Sequence, residues 1–109
     1  MSRTCKRIPF TANFDIVNQT IINILKSEGF NEKSINGENC WRKGIGAVAM
    51  QYVKVEYAEK EVILYGWIQV GIGAVVGKEM DLKGFVGMIP KKQLQKRLDK
   101  IEKAVLSLK

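Results

Sequence analysis

Between Gln51 and Val70 the chain falls into two alternating runs, interrupted only by Ala58-Glu59-Lys60. In the first, Val53, Val55 and Tyr57 share one face of an extended chain, and Tyr52, Lys54 and Glu56 share the other, because successive side chains of a strand point to opposite sides. In the second, Val62, Leu64, Gly66, Ile68 and Val70 lie on one face, with Ile63, Tyr65, Trp67 and Gln69 on the other. Apolar residues on both faces place this second run at the centre of a sheet. A period of two on both sides of a short polar turn specifies an antiparallel hairpin.

A repeat brackets this hairpin. Gly44-Ile45-Gly46-Ala47-Val48 returns as Gly71-Ile72-Gly73-Ala74-Val75, each copy a few residues after a tryptophan, Trp41 and Trp67. With Cys40 to Lys43 read as a short strand entering the first copy, the strands run up, down and up. Both copies then fall at the same end of one sheet. Exposed glycine–isoleucine segments there would form an apolar patch of the kind that marks an interface or a ligand mouth. Ile45 and Ile72 are the candidate contacts. The competing reading makes both copies bulged strand ends packed against each other.

The flanking segments read as follows. Thr4 to Ile8, ending against Pro9, suits an edge strand. Phe14, Val17, Ile21, Ile24 and Leu25 recur at helical spacing behind a cap at Asn13 or Thr11, and Gly29 followed by Phe30 fits a Schellman ending with a contact back to Leu25. Asn31 to Asn39 is polar and carries Asn36-Gly37, a turn signal that could also tip a hairpin. Val70 to Ile89 is too apolar for a linker and too rich in glycine for a helix, and is expected as one irregular extended passage with a last short strand near Leu82 to Val86. Pro90 opens a final helix at its first position, with Leu94, Leu98, Ile101, Val105 and Leu108 in 4-3-4-3 spacing. That stripe is too short to argue for a coiled coil and fits a helix lying on the sheet.

Strand, helix, three or four antiparallel strands and a second helix make a single α+β domain over residues 1–109. The expectation is a two-layer β-α-β(3–4)-α arrangement, with an antiparallel sheet covered on one face by two helices. In element order this resembles the helix-covered curved sheets of TATA-binding-protein-like and helix-grip domains, although no residue motif of either is present.

The absence of histidine removes the commonest general base and metal ligand, and with it every Ser-His or Cys-His nucleophile pair. Among the acids only Glu79 and Asp81 stand close together in an apolar stretch. Cys5 and Cys40 form no CxxC or Cys/His cluster, so a metal site has no ligand set; they read as buried or half-buried thiols, with a disulfide open on parity alone. No catalytic machinery, metal or cofactor is expected. No apolar run reaches the length of a membrane span, and the basic start at Met1 to Arg7 has no apolar region behind it, so the expectation is a cytoplasmic protein. Its lysine- and isoleucine-rich composition suits a bacterial source. The net charge of +7, concentrated in Lys91 to Lys109 and at Arg3, Lys6 and Arg7, admits nucleic acid as a partner without favouring it.

Two further sites are candidates. Tyr52, Lys54, Ile63, Tyr65 and Trp67 share the sheet face away from the helices, with Trp41 or Arg42 nearby. Aromatic and basic residues interleaved on a sheet bind single-stranded nucleic acid by stacking and phosphate contact, and the same face suits an apolar small molecule or a second copy of the chain. Folding of Val70–Ile89 back across it is the bland alternative. Gly87, Lys91 and Lys92 stand at the start of the last helix, where unpartnered N–H groups favour an anion; the alternative is a pair of solvated lysines. The function expected from these features is a non-catalytic protein-interaction or self-association module. A nucleic-acid-binding domain and an apolar small-ligand domain are the alternatives.

Overall fold

The computed structural model describes residues 3–35, 37–45, 49–72, 75–80 and 88–108. Strand β1 (Thr4–Pro9) is followed by helix α1 (Phe14–Ser27), then by β2 (Asn31–Ile35), β3 (Glu38–Ile45), β4 (Ala49–Ala58), β5 (Glu61–Ile72) and β6 (Val75–Met80), and finally by α2 (Met88–Leu106). This is an α+β domain with an antiparallel sheet and two helices, as expected. Among the described residues five strands follow α1, one beyond the upper bound of the β(3–4) expectation, and two of them stand where no strand was read. β2 is formed by the polar stretch whose lack of apolar alternation concealed it. β6 occupies part of the passage expected to be irregular, whereas Leu82 to Val86 lies outside the described residues. The final helix begins at Met88, two residues before Pro90; proline is still within the first turn, where no intrahelical donor is needed.

The sheet runs β1-β5-β4-β3-β2, with β6 also on β5. β1 pairs with Glu61 to Gly66, and β6 pairs with Ile68 to Ile72, along the edge of β5 that β4 leaves open. The two strands therefore lie end to end on one edge. β2 forms the other edge, and among the described residues no strand pairs with its outer side.

Asn13 caps α1 by accepting from the Asp15 N–H at 2.8 Å. At the other end, Gly29 stands at φ +90°, the Phe30 N–H donates to the Leu25 carbonyl, and the Gly29 N–H donates to that of Lys26. This is the Schellman closure, which needs a residue tolerant of positive φ. Val17, Ile21 and Leu25 of α1 and Leu94, Leu98, Ile101 and Val105 of α2 are buried against Ile8, Val53, Val62, Leu64 and Ile68 of the sheet. α2 lies over β1, β5 and β4, with α1 packed beside it.

Candidate functional site

With α2 over the β1–β5–β4 half, the flank of α1 overhangs β3 and β2. A recess of about 270 Å³ opens there, lined by Asn18, Ile21 and Ile22 of α1, Glu32 of β2, Asn39, Cys40 and Trp41 of β3, and Val55 and Tyr57 of β4. It adjoins a second recess of about 310 Å³ at the C-terminal end of α1, lined by Lys26, Gly29, Phe30, Asn31, Glu32 and Trp41. Glu32 and Trp41 wall both, so the two form one groove alongside the edge strand. The register explains the pairing. Glu32 stands opposite Trp41, and Trp41 opposite Val53, so all three face the helices. Trp41 is 8% exposed and belongs to the core; it lies on the helix side, not with the aromatics of the opposite face.

The far wall is tied by side-chain contacts. Tyr57 Oη donates to Asn18 Oδ1 at 2.7 Å, Phe14 packs edge-on to the Tyr57 ring at 4.5 Å, and burial pushes the phenol up to about 12. Glu32 makes no ion pair among the described residues. Asn31, Glu32, Lys33 and Ser34 are all exposed. The groove thus combines apolar and aromatic lining with a carboxylate and a strand edge that are both without a partner among the described residues.

A half-buried polar cluster lies at its second end. Arg97 of α2 donates to Gln51 Oε1 at 2.6 Å and to Glu28 Oε2 at 3.2 Å. Lys100 meets the same carboxylate at 2.8 Å, and Lys43 Nζ donates to the Glu28 carbonyl. The Lys100 hydrogen bond, aided by that from Arg97, lowers the Glu28 carboxyl below its usual range. Gln51 is fully buried on the helix side, in line with Val53 and Val55. These residues hold the end of α1 to α2 and the sheet. Nothing local in the sequence marks them, except that Gln51 is a polar residue heading an apolar alternation.

On the opposite face the register brings together Tyr52 with Trp67, Lys54 with Tyr65, and Glu56 with Ile63, the set read from the alternation. Tyr52 and Trp67 stack at 5.3 Å with planes 3° apart, the Arg3 guanidinium lies 3.6 Å from the Trp67 ring centroid, and Tyr52 Oη donates to Gln69 at 2.8 Å. Arg3 then forks onto Glu38 through two 2.8 Å hydrogen bonds, and Lys54 joins the same carboxylate at 2.8 Å. Tyr52 and Trp67 are 5% and 3% exposed, already stacked within the chain, whereas Tyr65 is half-buried. Arg42 is half-buried at the β3 register opposite Tyr52. Cys40 is buried in this cluster, which pushes its thiol up; Cys5 is exposed, not half-buried, and both thiols are free.

The repeat segments occupy matching places. Gly44 and Ile45 end β3, with Ala49 opposite Ile45, and Gly71 and Ile72 end β5, with Val75 opposite Ile72. Both copies therefore span hairpin connections at one end of the sheet. The side chains of Ile45 and Ile72 lie outside the described residues, as do Gly87 and the side chains of Val70–Ile89. Of the two lysines near the start of α2, Lys92 is exposed but Lys91 is buried at 5%, so they are not a solvated pair. Among the described residues no cluster of three or more His, Cys, Asp or Glu is placed to hold a metal, and no helix is long and apolar enough to cross a membrane. No protein-family model, curated protein or solved structure matches the chain.

Proposed function

We propose that this protein is a non-catalytic interaction module that takes up an extended polypeptide segment along β2 and into the groove beneath α1. One observation carries the reading: the outer edge of β2, on which no strand pairs among the described residues, borders a groove floored by Trp41. An open strand edge supplies main-chain donors and acceptors, and an adjoining apolar recess supplies side-chain selectivity. An unpaired edge alone is a liability; an edge beside a helix-walled groove is how several peptide-binding domains work.

The ladder geometry says which backbone groups are free. Ile35 and Glu38 face each other across a two-residue connection, and in such hairpins the closing pair is hydrogen-bonded. Alternation then turns the backbone groups of Lys33 inward to β3 and those of Glu32 and Ser34 outward. Ser34→Pro therefore removes an outward donor without cutting the β2–β3 ladder.

The test uses heptapeptides selected from a randomised display library, titrated into ¹⁵N-labelled protein. Trp41 and Trp67 report separately through their indole N–H signals, one in the groove and one on the opposite face. The expected result is movement of the Trp41 signal alone, and about tenfold weaker binding to Ser34→Pro, an estimate from the loss of one main-chain hydrogen bond. Movement of Trp67 alone, or failure of the library to yield any binder, would overturn the reading.

Nucleic acid is the second reading, favoured by Lys92, Lys96 and Lys103, which are exposed on α2 at helical spacing. Under that reading a fluorescent oligothymidine would bind with an affinity falling steeply with salt.

A further inference from the structure

The occupant of the β2 edge can be narrowed from the charges on it. Resting on the strand-addition reading above, we propose that β2 recognises an antiparallel segment carrying an acidic residue followed directly by a basic one, with apolar residues flanking this pair, and that its pattern excludes a second copy of the same strand.

The two charged side chains of β2 lie on opposite faces. Glu32 stands opposite Trp41 and faces the helices, whereas Lys33 stands opposite Cys40, which clusters with Tyr52 and Trp67 on the other side. Neither makes an ion pair among the described residues. An incoming antiparallel strand presents consecutive residues to Lys33 and then Glu32. Complementarity calls for a carboxylate first and a cation next, since opposite charges directly across a sheet stabilise it and like charges oppose it.

The residues two before and two after the cation share its face. They point into the two recesses on either side of Glu32, one beside Ile22 and Tyr57, the other beside Phe30. The recognised pattern is therefore apolar, acidic, basic, any, apolar.

Self-pairing fails on the same geometry. Only residues with outward backbone groups, Glu32 and Ser34, can hydrogen-bond to a new strand. In an antiparallel pair of β2 strands, the register that uses the whole of Asn31–Ile35 sets Glu32 against Ser34 of the other copy and Lys33 against its own symmetry mate. Two lysines then face each other at the centre of the new ladder. Lysine on an edge strand is a recognised block to such association.

Two capped peptides of identical composition test this, Ac-TVEKTVT-NH2 and Ac-TVKETVT-NH2, titrated up to about 1 mM into the wild-type chain and into the double variant Glu32→Lys with Lys33→Glu. The expected result is an approximately fivefold preference of the wild type for the acidic-first peptide, an estimate from two cross-strand charge pairs, with the preference reversed in the double variant. Both substitutions lie at exposed positions, and circular dichroism checks that the variant keeps its fold. Equal binding of the two peptides, or the same preference in both proteins, would overturn the charge rule while leaving strand addition standing. Binding of neither, with the Trp41 indole signal unmoved, would overturn strand addition at this edge itself. Sedimentation showing a wild-type dimer that Ser34→Pro dissociates would identify a second copy as the occupant and overturn the exclusion.

Discussion

Glu38 joins three parts of the chain at one carboxylate. It sits at the start of β3 and receives Arg3, the residue before β1, and Lys54 from β4. The Arg3 hydrogen bonds, followed by that of Lys54, lower its carboxyl from the ordinary 4.5 to about 2. A carboxyl depressed in the folded state stabilises the fold above its unfolded value and loses that contribution as the pH falls through the folded one. The window is therefore pH 4.5 down to 2. Glu38→Gln is expected to lower the melting temperature by about 5 °C at pH 7, with the difference gone near pH 2. A constant difference across that range would mean that the charge is not the source. The alternation of residues 51–57 made Tyr52 and Lys54 legible as face-mates, but not this convergence. Arg3 and Glu38 are 35 positions apart and meet across the β4–β5 hairpin that lies between β1 and β3 in the sheet.

At the scale of elements, what the sequence revealed follows burial. α1 and α2 each bury a continuous stripe, so their periodicity, caps and contacts are readable from the residue order. Leu98 is fully buried in α2 between its neighbours Leu94 and Ile101. Leu98→Ala should cost about 2–4 kcal/mol in urea unfolding; a cost under about 1 kcal/mol would show that α2 is not docked as described. β2 was invisible for the converse reason. Its exposed residues Asn31 to Ser34 are all polar, so no alternation separates it from a loop. Only Asn36-Gly37 hinted at it, and Gly37 does adopt φ +79° at that turn. The groove was equally hidden, because it depends on where α1 sits relative to β3, a relation no local pattern encodes. The tryptophan before the first repeat was legible as a landmark but not as to side. Its face follows from pairing with Val53, which fixes parity across the whole sheet.

For the whole molecule, stability should be graded from the middle of the sheet outward. β5 is paired on both edges, by β4 on one side and by β1 and β6 on the other, and its Val62, Leu64 and Ile68 are fully buried. Among the described residues β2 has one strand neighbour, β3. Native-state hydrogen exchange is expected to find the slowest amides in β5 and the fastest strand amides at Glu32 and Ser34. Strong protection at Glu32 and Ser34 would mean that the edge is covered in the free protein. The polar cluster around Glu28 adds a tie between the layers, and Lys6 adds another by meeting Asp99 and Glu102 of α2 at 3.0 and 2.9 Å.

The end-to-end placement of β1 and β6 also constrains anything joined to the amino end. Thr4 stands at the level of Gly66 and Met80 at that of Ile68, leaving only the level of Trp67 between them. The continuation of that track along β5 is taken by β6. Arg3, the described residue before Thr4, lays its guanidinium over the Trp67 ring. Thr4 stands on the sheet edge opposite β2, so immobilisation through the amino end is expected to leave the β2 edge facing solution.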